Sequence, residues 1–213
     1  MKLVGSILIV FSSLLYLGCE TTSGDGPLGE TIQNVFPMKV GNSWTYQASG
    51  YDDNGIFQKD TFHFSIDSAG TVNGHAGFYA TLYGVGFIYY LGNDLMASEL
   101  TGEDPQFWMR YPMEVGEEIV IRDSINGSYR SKDIMRLVSK NVTVTVPAGT
   151  FTCIWYKKTG MDNTFNGTFD TTTASDLYVA LGVGQIKEES YLYYPDPANP
   201  DHTTTELISY TVK

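Results

Sequence analysis

The sequence predicts an all-β protein, folded as a mostly antiparallel sandwich or a curved open barrel. From Trp44 onward, short runs of alternating apolar and polar residues are separated by turn residues at the spacing of an all-β domain. Asn-Gly steps, whose backbones tolerate the positive φ of tight turns, begin at Asn54, Asn73, Asn126 and Asn166. No window shows a helical period long enough to predict a helix.

The alternation predicts where each strand lies. We expect strands at residues 43–51, 56–67, 77–83, 86–92, 94–100, 106–111, 117–124, 128–138, 141–146, 150–159, 176–181, 185–194 and 203–212. The clearest pattern of one buried face is Val142, Val144 and Val146, with threonines between them. Pro147 should end that strand, because proline cannot donate to a ladder of hydrogen bonds.

Two segments of the chain resemble each other. FPMKVGNSWTY at residues 36–46 and YPMEVGEEIVI at 111–121 share Pro, Met, Val and Gly in the same places. Two more pairs follow in the same order, HAGFYATLYG with PAGTFTCIWY and LGND with LGVG. Such self-similarity is typical of repeated units, which here would span residues 36–100 and 111–189. The alternative is that turn signals before alternating strands align by chance.

The N-terminus has the pattern of an export signal. Lys2 is followed by an apolar run at residues 3–17, too short to span a bilayer, and then by Gly18-Cys19. This pattern resembles a bacterial lipoprotein signal, which is cleaved before a cysteine that then carries acyl chains such as palmitate. Tyr16 departs from the usual Leu, Val or Ile at its place, and an ordinary secretory signal is the alternative. We expect a signal peptide at residues 1–18 and lipid attachment at Cys19.

The signal is followed by a segment that is small and polar. We expect residues 19–35 to form a flexible tether and residues 36–213 to form the β-rich domain. Residues 24–29 match the dinucleotide fingerprint GxGxxG, but neither a predicted strand precedes them nor a predicted helix follows. We therefore expect no cofactor.

The composition is that of a folded, acidic protein. The 213 residues are 42% hydrophobic and 14% aromatic, richer in both than a disordered chain would be. The formal net charge is −11, and no basic cluster interrupts it. Since phosphates would be repelled, we expect no nucleic acid partner and membrane contact only through the lipid anchor.

Few side chains are spaced for catalysis or metal binding. His63, His75 and His202 have no second His or Cys at ligand spacing, so no histidine-built metal site is expected. The acidic pairs Glu117-Glu118 and Glu188-Glu189 lie in strands, where neighbours point to opposite faces and cannot converge on one substrate. We predict no catalytic residues and no enzymatic activity.

Two further features have structural readings. Cys153 alternates with Phe151 and Trp155, which predicts a thiol buried in the core, and lipid on Cys19 would leave it without a disulfide partner. Asp162–Asp170, DNTFNGTFD, partly imitates a calcium loop but lacks its third-position acid and closing Glu. We interpret it as a hairpin tip, with calcium binding as the open alternative.

Aromatic residues are the remaining candidates for a binding site. They concentrate in the runs FIYYL, QFWMRY, CIWY and YLYY, and consecutive residues of a strand must face both sides of a sheet. One side packs the core, and the other meets a second sheet or lines a groove. We name Tyr89, Trp108 and Tyr193 as candidate ligand-binding residues.

The segments FPMKVGNSWTY, VTVPAGTFTCIWY and ALGVGQIKEE resemble those of uncharacterised bacterial envelope lipoproteins and secreted β-domains. The resemblance implies a β fold and a place in the cell envelope, and it implies no catalytic residues. For the lipid anchor we expect the outer membrane, with the inner membrane as the alternative and the leaflet left open. Our first hypothesis is a non-catalytic module that binds a hydrophobic or amphipathic ligand or an envelope protein. A carbohydrate-binding or adhesion module is the second, and a hydrolase with acids from separate strands is the third.

Overall fold

The computed structural model describes residues 31–52, 55–81, 85–99, 105–163, 167–193 and 200–213. The signal peptide, Cys19 and most of the expected tether lie outside these residues. The described elements, in chain order, are α1 (Ile32–Val35), β1 (Ser43–Asp52), β2 (Gly55–Val72), β3 (His75–Thr81), β4 (Val85–Leu91), β5 (Asp94–Glu99), β6 (Gln106–Arg110), β7 (Glu118–Asn126), β8 (Tyr129–Val146), β9 (Gly149–Asp162), β10 (Asp170–Ala180), β11 (Gly184–Leu192) and β12 (Asp201–Thr211). None of the described helical segments is both long and apolar enough for a membrane span.

The strands form one antiparallel sheet built from two meanders. Its order is β6-β5-β4-β3-β2-β1-β12-β11-β10-β9-β8-β7, so β1 pairs with β12 where the meanders meet. Strands β6 and β7, although consecutive in the chain, stand at the two ends of the sheet. We call the gap between them the seam.

The sheet curves until its two ends approach each other. The buried side chains of both meanders belong to one core, which includes Trp44 of β1, Leu95 of β5 and Tyr156 of β9. The Tyr156 hydroxyl donates a hydrogen bond of 3.0 Å to the carbonyl of Arg110 at the end of β6. The fold is therefore a curved open barrel, which confirms the predicted all-β class and decides against a sandwich.

The segment before β1 closes one end of the barrel. Ile32 and Val35 of α1 are buried, and the Phe36 ring lies 5.4 Å from the ring of Trp44 and 5.1 Å from that of Trp108. A Cβ on Gly184 would come within 3.1 Å of Phe36, so the β10–β11 turn packs closely on this segment. The folded body thus begins no later than Ile32, inside the stretch expected to be tether.

The strand predictions differ from the structure in a few places. Strand β8 runs through residues 129–146, where the sequence predicted two strands with a break. The pairing of β8 with β9 shifts between Leu137 and Val142, so the break is a bulge within a continuous strand. Strand β10 begins at Asp170 rather than 176, and the four-residue helix α1 is too short to show a period.

The turn predictions can be examined at the described Asn-Gly steps. Asn73 and Gly74 both have positive φ, 50° and 82°, and connect β2 to β3 as a type I′ turn requires. Gly127, with φ 62°, follows Asn126 in the β7–β8 turn. Asn54 and Asn166 lie outside the described residues, as do the predicted strand ends at residues 82–83, 100 and 194.

The resembling segments occupy matching places in the two meanders. FPMKVGNSWTY leads into β1 and YPMEVGEEIVI into β7, the first strand of each meander. HAGFYATLYG begins β3 and PAGTFTCIWY leads into β9, the third strand of each. LGND joins β4 to β5 and LGVG joins β10 to β11. Duplication stays a prediction, whose test is superposition of β1–β6 on β7–β12.

Candidate functional site

The side chains inside the barrel change in size from one end to the other. Near α1, the inward-facing positions of β9 to β12 hold bulky residues. At the inward-facing positions two and four residues away from that end, the side chains are small or polar. The inward series are Tyr156, Lys158, Gly160 on β9; Leu177, Ser175, Thr173 on β10; Ile186, Glu188, Ser190 on β11; and Leu207, Thr205, Thr203 on β12. Small side chains cannot fill the space between the strands, so the end away from α1 is left open.

The unfilled space is a cleft of about 680 Å³. Its walls run from Phe107 on β6 and Ile121 on β7, on the two sides of the seam, round to Thr203 on β12. The greater part of the exposed wall is apolar. A cleft of this size and character falls within the ~300–1,000 Å³ range of small-molecule sites.

Gly160 shows how closely the strands approach at the cleft wall. A Cβ at this position would collide with Thr173 Oγ1 and would lie 3.2 Å from Asp133 Oδ1. Both neighbours come from adjacent strands, β10 and β8, and both line the cleft. A larger residue would therefore displace the lining side chains, and glycine keeps this part of the wall flat.

The cleft contains an ammonium group. Lys158 lies in register between Met135 of β8, which is fully buried, and Ser175 of β10. Burial lowers the pKa of Lys158, and the negative charge of Glu188 works against that lowering. Within the described residues, the Lys158 ammonium has neither a side-chain hydrogen bond nor an ion pair within 4.0 Å. Its charge is therefore poorly compensated by the protein.

A half-buried carboxylate lies one row from this lysine, toward the packed core. Glu188 lies in register with Leu177, one row deeper than Lys158, and receives a hydrogen bond of 3.4 Å from Gln185 Nε2. The Tyr46 hydroxyl donates to the Gln185 carbonyl at 3.1 Å. Burial, and then the charge of Glu188, raises the pKa of Tyr46, so this hydroxyl stays protonated.

The charges at the rim of the cleft are more exposed. Arg122 of β7 and Asp133 of β8 form an ion pair at 2.9 Å, and their side chains are 59% and 32% exposed. Such a solvated pair contributes little to stability. In this pair the two charges neutralise each other. Of the two cations in the described lining, Arg122 and Lys158, Lys158 is the one with no carboxylate within 4.0 Å.

The three predicted ligand-binding residues do not come together. Trp108 packs inside the core, its ring 5.1 Å from that of Phe36. Tyr89 is buried on the outer face of β4, stacked on His75 at 4.5 Å between ring centroids. Tyr193 follows β11 and stacks on Tyr191 at 6.5 Å. Their roles as ligand contacts stay predictions.

The other sequence predictions of sites have mixed outcomes. Cys153 is free and fully buried, and burial raises the pKa of its thiol to about 11, as a core position predicts. Trp155 does not share that face, because Ile154 and Tyr156 are the buried residues and Trp155 Nε1 donates to Asp176 at 2.7 Å. The expected inward alternation through Phe151, Cys153 and Trp155 is thus wrong after Cys153.

The Asp162–Asp170 segment joins two paired strands. Asp162 and Asp170 are cross-strand partners at the ends of β9 and β10, which confirms a hairpin at this place. Residues 164–166, at its tip, lie outside the described residues. Across the described ranges, no cluster of three or more His, Cys, Asp or Glu side chains has the placement of a metal site.

Sequence reasoning missed the cleft and Lys158. Lys158 follows Lys157 in a predicted strand, and the sequence does not say which lysine faces inward. The signal that could have pointed to it is the small and hydroxyl residues at alternate positions of β10 and β12, which a search for apolar alternation passes over.

Comparison with known proteins finds a family model that matches part of the chain. Residues 112–193, covering β7 to β11, match the DUF3108-like family model and contain two of the three segments noted above, VTVPAGTFTCIWY and ALGVGQIKEE. None of the curated proteins matches the sequence.

Two solved structures share the fold. One, from Bacteroides fragilis, is described as an exported protein with a YmcC-like fold, at 13% identity and TM-score 0.51. The other, from Parabacteroides distasonis, is described as a lipoprotein, at 17% identity and TM-score 0.51. Each match covers 83% of this chain and 98% of the other. At these identities the likeness shows the fold alone.

Proposed function

We propose that this protein is a lipid-anchored binding protein of the bacterial cell envelope, on the outer membrane, whose cleft holds an amphipathic ligand. The export pattern ending at Cys19 supports the location, and so do the descriptions of the two structural neighbours as an exported protein and a lipoprotein. Since the acyl chains would hold the N-terminus at the membrane, the barrel would work close to lipid.

The observation that carries the binding function is the unequal filling of the barrel. A barrel that served only as a scaffold would fill both ends, because unfilled space forfeits dispersion contacts. Here one end is packed by residues such as Trp44, Tyr156 and Leu207, all fully buried. The other end keeps about 680 Å³ open behind small residues such as Ser175 and Gly160.

The lining suits a ligand with both apolar and polar parts. Phe107, Ile121 and Leu192 offer apolar contacts at the seam and the opposite wall. Lys158 and several hydroxyl side chains lie among them and can bind a polar end. The protein would act by holding the ligand, without a catalytic step.

A carbohydrate-binding or adhesion role is the second candidate, and the outer face of the sheet favours it. Trp155 stacks on Tyr178 at 5.9 Å and Tyr191 on His202 at 4.7 Å, forming partly exposed aromatic pairs over β9 to β12. Asp176, which accepts from Trp155 Nε1, adds a carboxylate beside them. A glycan array separates this role from ligand binding in the cleft.

The cleft function is tested by filling the cleft. We would purify the chain carrying Cys19→Ser without detergent, measure co-purified ligand by native mass spectrometry, and titrate a fluorescent fatty acid. Ser175→Leu should reduce binding, because the leucine would project into the cleft. Thr152→Leu, at an exposed position of β9, is the matched control and should bind as the parent does.

Two results would contradict the proposal. One is a parent protein that carries no ligand and binds no fatty acid probe; the other is equal binding by the parent and Ser175→Leu. The anchor is tested separately, by radiolabelled palmitate, which should mark the wild-type protein in its host membrane and leave Cys19→Ser unmarked. Loss of the anchor alone would not affect the cleft.

A further inference from the structure

We propose that the ligand of the cleft carries an anionic oxygen head group, held by the Lys158 ammonium and by a row of hydroxyl groups that crosses the cleft with it. The inference rests on the proposed binding function and adds the chemistry of the ligand's polar end. The head group is a carboxylate or phosphate, which share the negatively charged oxygens that an ammonium and hydroxyls bind.

The register of the strands aligns the proposed contacts. Lys158 of β9 is the cross-strand partner of Ser175 of β10, Ser175 is the partner of Ser190 of β11, and Ser190 is the partner of Thr203 of β12. All four residues line the cleft. One cation and three hydroxyls therefore stand side by side on adjacent strands, ~5 Å apart from strand to strand.

The side chains of this row are not used by the protein itself. Among the described residues, Lys158, Ser175, Ser190 and Thr203 form no side-chain hydrogen bond or ion pair. An ammonium has three donors, and each hydroxyl has one. The row therefore has free hydrogen-bond donors, because no acceptor among the described residues is bound to these side chains.

The two neighbouring rows, one deeper in the barrel and one nearer the mouth, explain why the head group would bind at the row of Lys158. The deeper row, which includes Leu177 and Glu188, joins the packed core. The next row toward the mouth holds Gly160, Thr173 and Leu192, where small and apolar side chains leave room for a chain. A ligand entering tail-last from the mouth would place its head at Lys158 and its apolar part along Phe107 and Ile121.

The uncompensated ammonium favours an anion over a neutral head group. Lys158 is half-buried, and a charge partly removed from water without a close partner is unfavourable. Burial lowers the pKa of Lys158 despite the attraction of Glu188. Arg122 and Asp133 neutralise each other at the rim, and Asp201 is exposed at the mouth. An anionic head group would supply the acceptor that Lys158 lacks.

The test compares ligands that share a chain and differ in head group. Using the chain with Cys19→Ser, calorimetric titration would measure binding of dodecanoate, dodecyl phosphate, dodecanol and dodecyltrimethylammonium. At least one anion should bind about tenfold or more tightly than dodecanol, a difference of ~1.4 kcal/mol, and the cation should bind least. Whether carboxylate or phosphate binds better distinguishes a free fatty acid from a phospholipid source.

Variants assign the preference to the row. Lys158→Met should bring anion binding down to the level of dodecanol while keeping dodecanol binding, which also shows that the barrel is folded. Lys158→Arg should keep the preference, and Ser175→Ala with Ser190→Ala should reduce it in part. Equal binding of all head groups by the parent, or a preference that survives Lys158→Met, would overturn the inference about the head group and leave the proposed function standing. If the parent binds none of the four ligands, both the inference and the proposed function fail.

Discussion

A hydrogen bond joins β9 to the end of β6 across the barrel, and removing it should measurably destabilise the fold. Tyr156 of β9 is 0% exposed, and its hydroxyl donates to the carbonyl of Arg110 at 3.0 Å. Arg110 ends β6, the opposite edge of the sheet from β7. Tyr156→Phe removes only the oxygen atom and leaves the packed ring in place, so it isolates this contact.

The expected cost follows from the burial of the Tyr156 side chain. Burial raises the pKa of Tyr156, so its hydroxyl is a protonated donor at neutral pH. Leaving the part-buried Arg110 carbonyl without this donor should cost about 1–3 kcal/mol in the free energy of unfolding. For a chain of this size a loss of ~2 kcal/mol lowers the midpoint of thermal unfolding by roughly 4–8 °C.

Thermal and urea unfolding, followed by circular dichroism, would measure this effect. Tyr210→Phe is the matched control, because Tyr210 is 41% exposed and loses an oxygen that water can replace. We expect Tyr210→Phe to stay within ~0.5 kcal/mol of the parent. Equal stabilities of the two variants would refute the view that this bond holds β9 against the end of β6.

Three further predictions concern the segment before β1 that closes one end of the barrel, which we call the plug, the Cys153 thiol and the Asp67 carboxylate. Phe36→Ala should cost about 3–5 kcal/mol in urea unfolding, because its ring packs among Trp44, Phe64 and Trp108; a cost below ~1 kcal/mol would mean that the plug is dispensable. Cys153, with a pKa of about 11, should resist thiol reagents near neutral pH until the chain is unfolded, and rapid native labelling would contradict its burial. Hydrogen bonds from Thr81, and then from Ser65, lower the pKa of Asp67 in the folded protein below its value in the unfolded chain. These bonds therefore stabilise the fold at pH above the unfolded pKa, and this stabilisation is lost as pH falls through the folded pKa. Urea unfolding of Thr81→Val should therefore show a deficit that shrinks in acid, and a pH-independent difference would argue against the shift.

Local sequence patterns predicted the elements of this fold well. Period-two alternation and Asn-Gly turns depend on residues next to each other in the chain, such as Asn73 and Gly74, so a single sequence contains them. These patterns failed where strand pairing overrides the local preference of the sequence. Near Ser139 the sequence predicts a break, but β8 continues through a bulge because it is paired with β9 on both sides.

The candidate site could not be predicted in the same way. The runs that contain Tyr89, Trp108 and Tyr193 are equally aromatic, yet Trp108 packs in the core, Tyr89 lies on the outer face and Tyr193 lies beyond the end of β11. An aromatic run predicts a strand, but its composition does not say which face is enclosed.

The sequence by itself determined an exported-type N-terminus, an acidic all-β body and a cysteine inside its core. Only the tertiary structure decided that the sheet curls, that α1 fills one end, and that Lys158, Ser175, Ser190 and Thr203 stand in one row at the other. The physical reason is that strand register joins residues far apart in the chain, and register is set by packing the whole core at once.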